Sequence, residues 1–314
     1  MSRRASRAAG VALGYALDRL FGDPQRLHPV AGFGQAAAAL EAYTYRDAKL
    51  AGTVHTALLV TAVTAAGWAA QRATRRSATA TIAVTAAATW ATLGGTTLVQ
   101  VGQRMSEHLY DNDIDGARTL LPSLCGRDPN LLDVDGIARA TVESLAENTS
   151  DAHTGPLVWA ALAGVPGLLA YRAANTLDAM IGHKSARYLR FGWAAARFDD
   201  LMNLLPARIT ALATAIAAPF LGGSTIASLR VCVSDGHRHP SPNAGVAEAA
   251  FAGALGVRLG GPIQYPYGEE IRPTLGRGIA PRIGDVHEAV RLSRAVQNVT
   301  AAAAVIATLR QRRP

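Results

Sequence analysis

The chain contains 314 residues, of which 49% are hydrophobic and 17% are charged, whereas about 25% charged residues is usual for soluble domains. Its formal net charge is +8, but the basic residues are scattered in short clusters that flank apolar stretches, as in residues 3–7 and 72–76. This distribution argues against nucleic-acid binding, which concentrates Lys and Arg on one face, and favours anchoring at a membrane edge. The two cysteines form no CxxC or CxxH arrangement, so neither a thiolate zinc site nor a disulfide framework is supported.

The basic amino-terminal segment leads into an apolar run that Asp18 and Arg19 interrupt, which makes it a poor secretory signal peptide. Gly-Asp-Pro at positions 22–24 predicts a turn after this segment, and Asp23 and His28 are the polar groups around it. Because a residue before proline is held extended, the His28 ring can project into a site. A plain turn without function is the alternative.

Several uncharged stretches approach the roughly 20 residues that a membrane-spanning helix needs. They are Leu50–Gln71 apart from its flanks, Ser77–Gln103, Gly155–Tyr171, Ile209–Leu229 and a shorter one at Ala295–Leu309. Buried helices of a soluble alanine-rich bundle are the alternative, but uncharged length with arginine at the edges favours the membrane. We therefore expect an all-α, polytopic integral membrane protein, with one domain over residues 1–314 and a site formed by long polar inter-helix segments.

Two segments depart from simple helices. Gly164, Pro166 and Gly167 interrupt the third apolar stretch and predict a broken or re-entrant segment buried within protein. The Gly/Pro-rich residues Gly260–Pro281 predict an irregular loop ordered by a ligand.

Residues Asp135–Asn148 have the apolar periodicity of a helix. Glu143 and Glu147 are four residues apart and share a face of it, and Asp151 lies one turn further on if the helix continues. Carboxylates beside a membrane segment suit Mg²⁺, which favours one or two carboxylates plus substrate phosphates. A solvated acidic face is the alternative.

Arg172, Asn175 and Asp178 recur at three-residue spacing directly after an apolar stretch. Ionisable groups at membrane depth are costly and usually have partners or functions. A neutralising pair of Arg172 with Asp178 is the structural alternative.

A further group contains Arg197, Asp199, Asp200, Asn203 and Arg208. The spacing puts Asp199 on the face of Asn203 and Asp200 nearer Arg197. Adjacent acids with an asparagine and flanking arginines can hold a metal–phosphate unit, or can form a charge network at a helix end.

The segment His239-Pro-Ser-Pro-Asn-Ala-Gly leads into a predicted helix that carries Glu248. Ser241 and Asn243 at the helix entrance predict capping and exposed backbone N–H groups, which make an anion site. An ordinary proline-rich turn is the alternative.

Taken together, the chain resembles the adenosylcobinamide-phosphate synthase family of cobalamin biosynthesis (CobD/CbiB). The resemblance rests on LDRLFGDPQRLHPV, ATVESLAENTSD, YRAANTLDAM, RFDDLMNLLPAR and HPSPNAG, which follow in family order from about Gly14 to Gly276. The series covers most of the chain and is highly specific.

The resemblance implies a multi-pass enzyme of the cell (plasma) membrane that joins adenosylcobyric acid to aminopropanol or its O-phosphate. It also implies the use of ATP and Mg²⁺. The expected partners are the corrinoid substrate, the amine and the lipid bilayer, with no nucleic acid; other late cobalamin-pathway enzymes are candidate partners.

Amide formation from a carboxylate needs a better leaving group than oxide, and phosphorylation to an acyl phosphate supplies one. Such a site needs a metal and cations around the phosphates. The candidates are, for catalysis, His28, Glu147, Asp178 and His239; for substrate binding, Asp23, Asn148, Arg172, Asn175, Arg197, Asn203, Arg208, Ser241 and Asn243; and for metal, Glu143, Glu147, Asp151, Asp199 and Asp200. A membrane carrier or a non-catalytic scaffold for corrinoid intermediates is the alternative function.

Overall fold

The structure, a computed structural model, describes residues 1–23, 28–265 and 268–311. Sequence predictions that fall on residues 24–27, 266–267 and 312–314 lie outside it. The described chain is almost entirely helical, as the composition predicts, with one antiparallel hairpin. The helices are α1 (Arg3–Phe21), α2 (Pro29–Thr44), α3 (Lys49–Thr74), α4 (Ala78–Thr92), α5 (Gly95–Tyr110), α6 (Ile114–Leu120), α7 (Val134–Thr149), α8 (Gly155–Leu177), α9 (Trp193–Ala217), α10 (Thr225–Asp235), α11 (Ala244–Leu255) and α12 (Ile283–Arg310), and the strands are β1 (Leu259–Tyr265) and β2 (Gly268–Leu275).

Five helical segments in the described residues are long and apolar enough to cross a membrane. They are Lys49–Thr74, Ala78–Tyr110, Val134–Gly182, Trp193–Leu221 and Ile283–Arg310. Each overlaps one of the uncharged stretches of the sequence, so the prediction of a polytopic helical membrane protein is confirmed.

The fourth stretch was misplaced by the sequence prediction, which ran it to Leu229. The structure ends this helical segment at Leu221, followed by Gly222 with a φ of 79° and then by the separate helix α10. A left-handed glycine commonly ends a helix. The helical segment instead begins upstream at Trp193. Because its first turns contain charged residues, an absence of charge does not mark its beginning.

The predicted interruption of the third stretch is confirmed inside α8. Gly164 has a φ of 71° and a ψ of −153°, and Pro166 follows it. The Gln71 side chain accepts a hydrogen bond from the backbone N–H of Val165 at 3.1 Å. Gln71 thereby satisfies a donor that the break leaves outside the helical ladder.

The prediction of an irregular loop at Gly260–Pro281 is wrong as far as Leu275, because β1 and β2 pair there as an antiparallel hairpin. Gly260 and Gly261 have φ values of 81° and 89° and form a bulge in β1. Glycine and proline in the strands weaken the usual strand signal. Leu259 and Leu275, which pair at the base, are fully buried.

The described chain separates into two compact units. The first unit contains residues 1–94, 155–205 and the chain from 301 onward; the second contains residues 95–154 and 206–300. The expectation of one membrane domain over residues 1–314 stays a prediction.

In the first unit, α1 packs closely against α4 through small residues. Gly10 faces Thr85, and Gly14 faces Thr89. A Cβ atom built on Gly14 would lie 2.7 Å from the backbone oxygen of Ala86. Small residues four apart let helix backbones approach in this way, and the same face carries the buried Asp18.

The second unit has a hydrophobic core formed by α5, α7, α11 and α12. Met105, Ile137, Leu145 and Val286 are each fully buried in it. Because this core covers one face of α7, the acidic residues of α7 lie on another face.

We expect Gly14→Ala to destabilise the protein, although alanine is the better helix former by about 1 kcal/mol. The added methyl group meets a backbone oxygen that cannot move aside, and overpacking of this kind costs about 1–3 kcal/mol. Gly32→Ala is the matched control, because nothing lies within 4 Å of a Cβ at this exposed site in α2. Thermal unfolding in detergent should give a lower Tm for Gly14→Ala and an unchanged or higher Tm for Gly32→Ala. Equal Tm values for the two variants would contradict this packing.

Candidate active site

Helix α7 carries the two glutamates of the predicted acidic face. The helix begins where the Asp133 side chain accepts a hydrogen bond from the Gly136 N–H at 2.8 Å. With Ile137 and Leu145 buried in the core, Glu143 and Glu147 share another face. The expected helix is confirmed, but the simple alternative of a solvated acidic face does not hold for Glu143, which is 3% exposed.

Both oxygens of the Glu143 carboxylate are engaged. Oε2 pairs with the buried guanidinium of Arg127, and Oε1 accepts a hydrogen bond from the Gly260 N–H at 2.6 Å. Gly260 has a positive φ, which favours glycine. A Cβ atom added to it would overlap the Pro273 carbonyl oxygen, so no side chain fits there. Glu143 thus ties α7 to the hairpin.

Glu248 on α11 provides a third carboxylate. It is 3% exposed and interacts electrostatically with Glu143 and Glu147. Burial raises the pKa of Glu248 well above its ordinary value, and the negative charges of Glu143 and Glu147 raise it further, against the positive charges of Arg272 and Arg127. We call Glu143, Glu147, Glu248, Arg127 and Arg272 the glutamate cluster. All five belong to the second unit.

His239 lies next to this cluster, with its Nε2 atom 2.8 Å from Nη1 of Arg272 and 3.8 Å from Oε1 of Glu248. An arginine only donates hydrogen bonds, so Nε2 accepts from Arg272. At Nδ1 the Ser241 backbone offers both a donor, its N–H at 3.1 Å, and an acceptor, its carbonyl at 3.3 Å. In this arrangement His239 orients Arg272. Its assignment as a proton acceptor stays a prediction.

The entrance of α11 is capped as the sequence predicts, but Ser241 rather than Asn243 provides the cap. Ser241 Oγ accepts hydrogen bonds from the N–H groups of Asn243 at 3.3 Å and Ala244 at 3.2 Å. The Asn243 side chain instead accepts from Arg208 Nη1 at 2.8 Å. Ser241 thus already bonds two of the N–H groups expected to be exposed for an anion.

Two further predicted residues follow the glutamates in the second unit. Asn148 donates a hydrogen bond to the Ser144 carbonyl of its own helix at 2.9 Å. Asp151 is half-buried in a π-helical turn, Ser150–Thr154, that continues α7. Such turns occur frequently at functional sites.

The first unit contains a separate acidic group. Tyr171 donates a hydrogen bond to Asn203 Oδ1 at 2.7 Å, and Asn203 Nδ2 donates to Asp199 Oδ2 at 2.9 Å. The predicted sharing of a helix face by Asp199 and Asn203 is confirmed. Asp178 and Asp200 lie close enough to interact electrostatically with Asp199, as does the Asn175 side chain. We call Asp178, Asp199, Asp200, Asn175 and Asn203 the aspartate cluster.

Two arginines lie near the aspartate cluster, of which Arg197 is exposed and Arg172 is half-buried. Arg197 pairs with Asp200 at 3.1 Å, as the three-residue spacing predicts, and its side chain is 66% exposed. Arg172 donates to Asn175 Oδ1 at 3.4 Å. Asp178 begins a second π-helical turn, Asp178–Gly182, in which its carboxylate packs against Gly182.

The remaining predicted residues belong to the first unit. Asp23 is half-buried after the end of α1. His28 caps α2, where its Nδ1 atom accepts a hydrogen bond from the Val30 N–H at 3.1 Å. This contact accounts for the position of His28 structurally, and its catalytic role stays a prediction.

The residues present fit a magnesium ion that is held in part by substrate. Within the described residues, no three acidic, histidine or cysteine side chains converge to enclose a metal ion. Mg²⁺ nevertheless binds through one or two carboxylates together with substrate phosphates. Glu147 is only partly buried, interacts with Arg272 and Arg127, and has no hydrogen-bond donor within the described chain. Its oxygens are therefore available to a metal, although the metal assignments stay predictions.

Sequence reasoning missed Arg127, Arg272 and Glu248 as members of the site. Arg127 lies in a loop and Arg272 in a strand, and no local pattern connects either to α7. Glu248 did carry a signal, since it is the one charged residue in the apolar helix Ala244–Leu255. An isolated acid in such a helix usually has a partner or a function.

Comparison with known proteins decides the family. A sequence model of the CobD/Cbib protein family matches residues 11–293. The chain belongs to the CobD/Cbib family. The resemblance read from the motifs is thereby confirmed.

Curated members of the family match over nearly the full length. The cobalamin biosynthesis protein CobD of Mycobacterium tuberculosis is 56% identical over 307 residues, or 98% of this chain and 97% of the relative. CobD of Geobacter metallireducens is 42% identical over 84% of this chain and 85% of its own. CobD of Chromobacterium violaceum is 42% identical over 88% of each. No solved structure matches the chain.

The raised pKa of Glu248 predicts a pH-dependent stability. The folded protein binds this proton more tightly than the unfolded chain, so the contribution of Glu248 to stability is complete at low pH. It is lost as the pH rises from the ordinary glutamate value of 4.5 through the raised folded-state pKa. Glu248→Gln mimics the protonated side chain. We expect it to unfold at a higher Tm than the wild type at mildly alkaline pH, with the difference shrinking at mildly acidic pH.

Glu107→Gln, at an exposed site on α5, is the matched control and should leave the pH dependence of Tm unchanged. Parallel Tm–pH curves for the wild type and Glu248→Gln would show that Glu248 does not carry this linkage.

Proposed function

We propose that the chain is an ATP-dependent acid–amine ligase of the adenosylcobinamide-phosphate synthase type. It joins adenosylcobyric acid to (R)-1-amino-2-propanol or its O-phosphate, giving adenosylcobinamide or its phosphate. Family membership supports a role in cobalamin biosynthesis, and the five candidate spans support a membrane protein. The ligation chemistry and a multi-pass place in the plasma membrane are the finer parts of the proposal.

The observation that carries the proposal is the glutamate cluster. Two motifs that are far apart in the sequence, ESLAEN and HPSPNAG with its following helix, place three carboxylates and a histidine beside Arg127 of a loop and Arg272 of the hairpin. Buried charges of this kind contribute little to stability and cost several kcal/mol each to desolvate. Strongly perturbed titratable groups are concentrated at functional sites. The cluster therefore supports a catalytic role over a purely structural one.

In the proposed reaction, a carboxylate oxygen of the corrinoid acid attacks the terminal phosphorus of ATP and releases ADP. The amine then attacks the acyl carbon, and phosphate leaves with that carboxylate oxygen. Arg127, Arg272 and Arg208 are candidates for stabilising negative charge on the phosphates. Glu147, with Glu143 beside it, is the candidate ligand for Mg²⁺, which when bound neutralises charge on the phosphates.

The attacking amine must lose a proton. His239 has its Nε2 lone pair directed at Arg272, whereas Glu248 has a pKa raised well above its ordinary value. A base works best when its pKa lies near the working pH. Within the second unit, Glu248 is therefore the stronger candidate for this proton, with His239 as its neighbour.

ATP hydrolysis by the purified protein tests the proposal. We expect it to require both adenosylcobyric acid and the amine, with one ADP formed per amide. Glu147→Gln should lower turnover by about a hundredfold or more, the cost typical of losing one electrostatic contact to the transition state, without lowering Tm. Glu107→Gln, which removes the same charge outside the cluster, should retain activity.

Three results would reject the proposal. They are hydrolysis independent of either substrate, amide formation without ATP, and equal turnover of Glu147→Gln and Glu107→Gln at limiting Mg²⁺. A membrane carrier or a corrinoid-binding scaffold would bind the corrinoid acid without forming the amide.

A further inference from the structure

The two arginine-rich clusters of the sequence meet in the first unit around one cavity. Its volume is about 680 Å³. Arg3, Arg4 and Arg7 of α1 line it together with Arg72 and Arg75, at the end of α3. We call these five residues the arginine pocket. The arginines of α1 are far in sequence from those of α3, and all five lie outside both clusters of the candidate active site.

The positive charge of the arginine pocket is not neutralised by any carboxylate in the part of the chain that the structure describes. None of its five arginines forms an ion pair with a carboxylate among the described residues. Arg7 is half-buried and donates only to neutral acceptors, Gln311 Oε1 at 3.2 Å and the Ala160 carbonyl at 3.2 Å. Burial lowers the pKa of Arg7. Like charges that converge without a counter-charge indicate a site for an anion.

The arginine pocket lies beside the ends of two candidate membrane spans. The candidate span Lys49–Thr74 ends beside it, and the next candidate span begins at Ala78. Trp68 also lines the cavity and is 57% exposed. The Arg72 guanidinium lies over its ring, 5.4 Å from the ring centre. Tryptophan and arginine together are typical of the level of lipid headgroups. Basic pockets between spanning helices are the usual binding sites of anionic headgroups.

We propose that the arginine pocket binds the phosphate-bearing headgroup of an anionic phospholipid, with Trp68 against the adjoining glycerol and acyl region. Guanidinium groups suit this ligand because they pair with phosphate oxygens through two parallel hydrogen bonds. The proposal is independent of the catalytic chemistry proposed above.

Native mass spectrometry of the full-length protein, released from nanodiscs of phosphatidylcholine and phosphatidylglycerol, tests the proposal. The wild type should retain phosphatidylglycerol in preference to phosphatidylcholine. Arg72→Gln/Arg75→Gln should reduce the retained phosphatidylglycerol by about tenfold or more, because each arginine near an anionic lipid surface adds to the attraction. Both side chains are exposed, so the fold should tolerate the change.

The matched control is Arg230→Gln/Arg277→Gln, which removes the same charge from two exposed arginines outside the cavity. It should retain lipid as the wild type does. Equal retention by the two double variants would overturn the proposal. Displacement of the lipid by inorganic phosphate or ATP at millimolar concentration would also overturn it, and would assign the pocket to a soluble phosphate compound.

Discussion

Carboxylates removed from water are costly unless cations, hydrogen bonds or protons compensate them, and the second unit is arranged around that constraint. Glu143 is compensated by Arg127 and by a backbone N–H of the hairpin. Arg272 extends from the same hairpin toward the acids and is held by His239. Burial raises the pKa of Glu248, and the other two carboxylates raise it further against the two guanidinium groups. The hairpin is part of the acidic site, because it supplies both the Gly260 N–H and Arg272.

The first unit meets a similar constraint by different means. Asp199 is supported by a neutral donor, Asn203, which in turn accepts a hydrogen bond from the Tyr171 hydroxyl. Small residues bring α1 and α4 close together, while five arginines that form no ion pair within residues 1–23, 28–265 and 268–311 line a cavity at the ends of α1 and α3. The aspartate cluster and the arginine pocket of this unit have no residue in common.

The sequence was sufficient for features that depend on local spacing. The helix of Glu143 and Glu147, the pairing of Arg197 with Asp200, and the break at Gly164 all follow from residues a few positions apart. It was insufficient where compensation comes from distant parts of the chain. No periodicity connects Arg127 or Arg272 with α7, and glycine and proline concealed the strands that carry Gly260 and Arg272. The motifs indicated the reaction only through their resemblance to a family.

The fate of the carboxylate oxygen tests the central claim most directly. Adenosylcobyric acid labelled with ¹⁸O in its reacting carboxyl group is incubated with ATP, Mg²⁺ and the amine, and the released phosphate is analysed by mass spectrometry. Activation as an acyl phosphate predicts one ¹⁸O atom in inorganic phosphate for each amide formed, with ADP as the nucleotide product. Label recovered in AMP, or amide formation with unlabelled phosphate, would contradict the account.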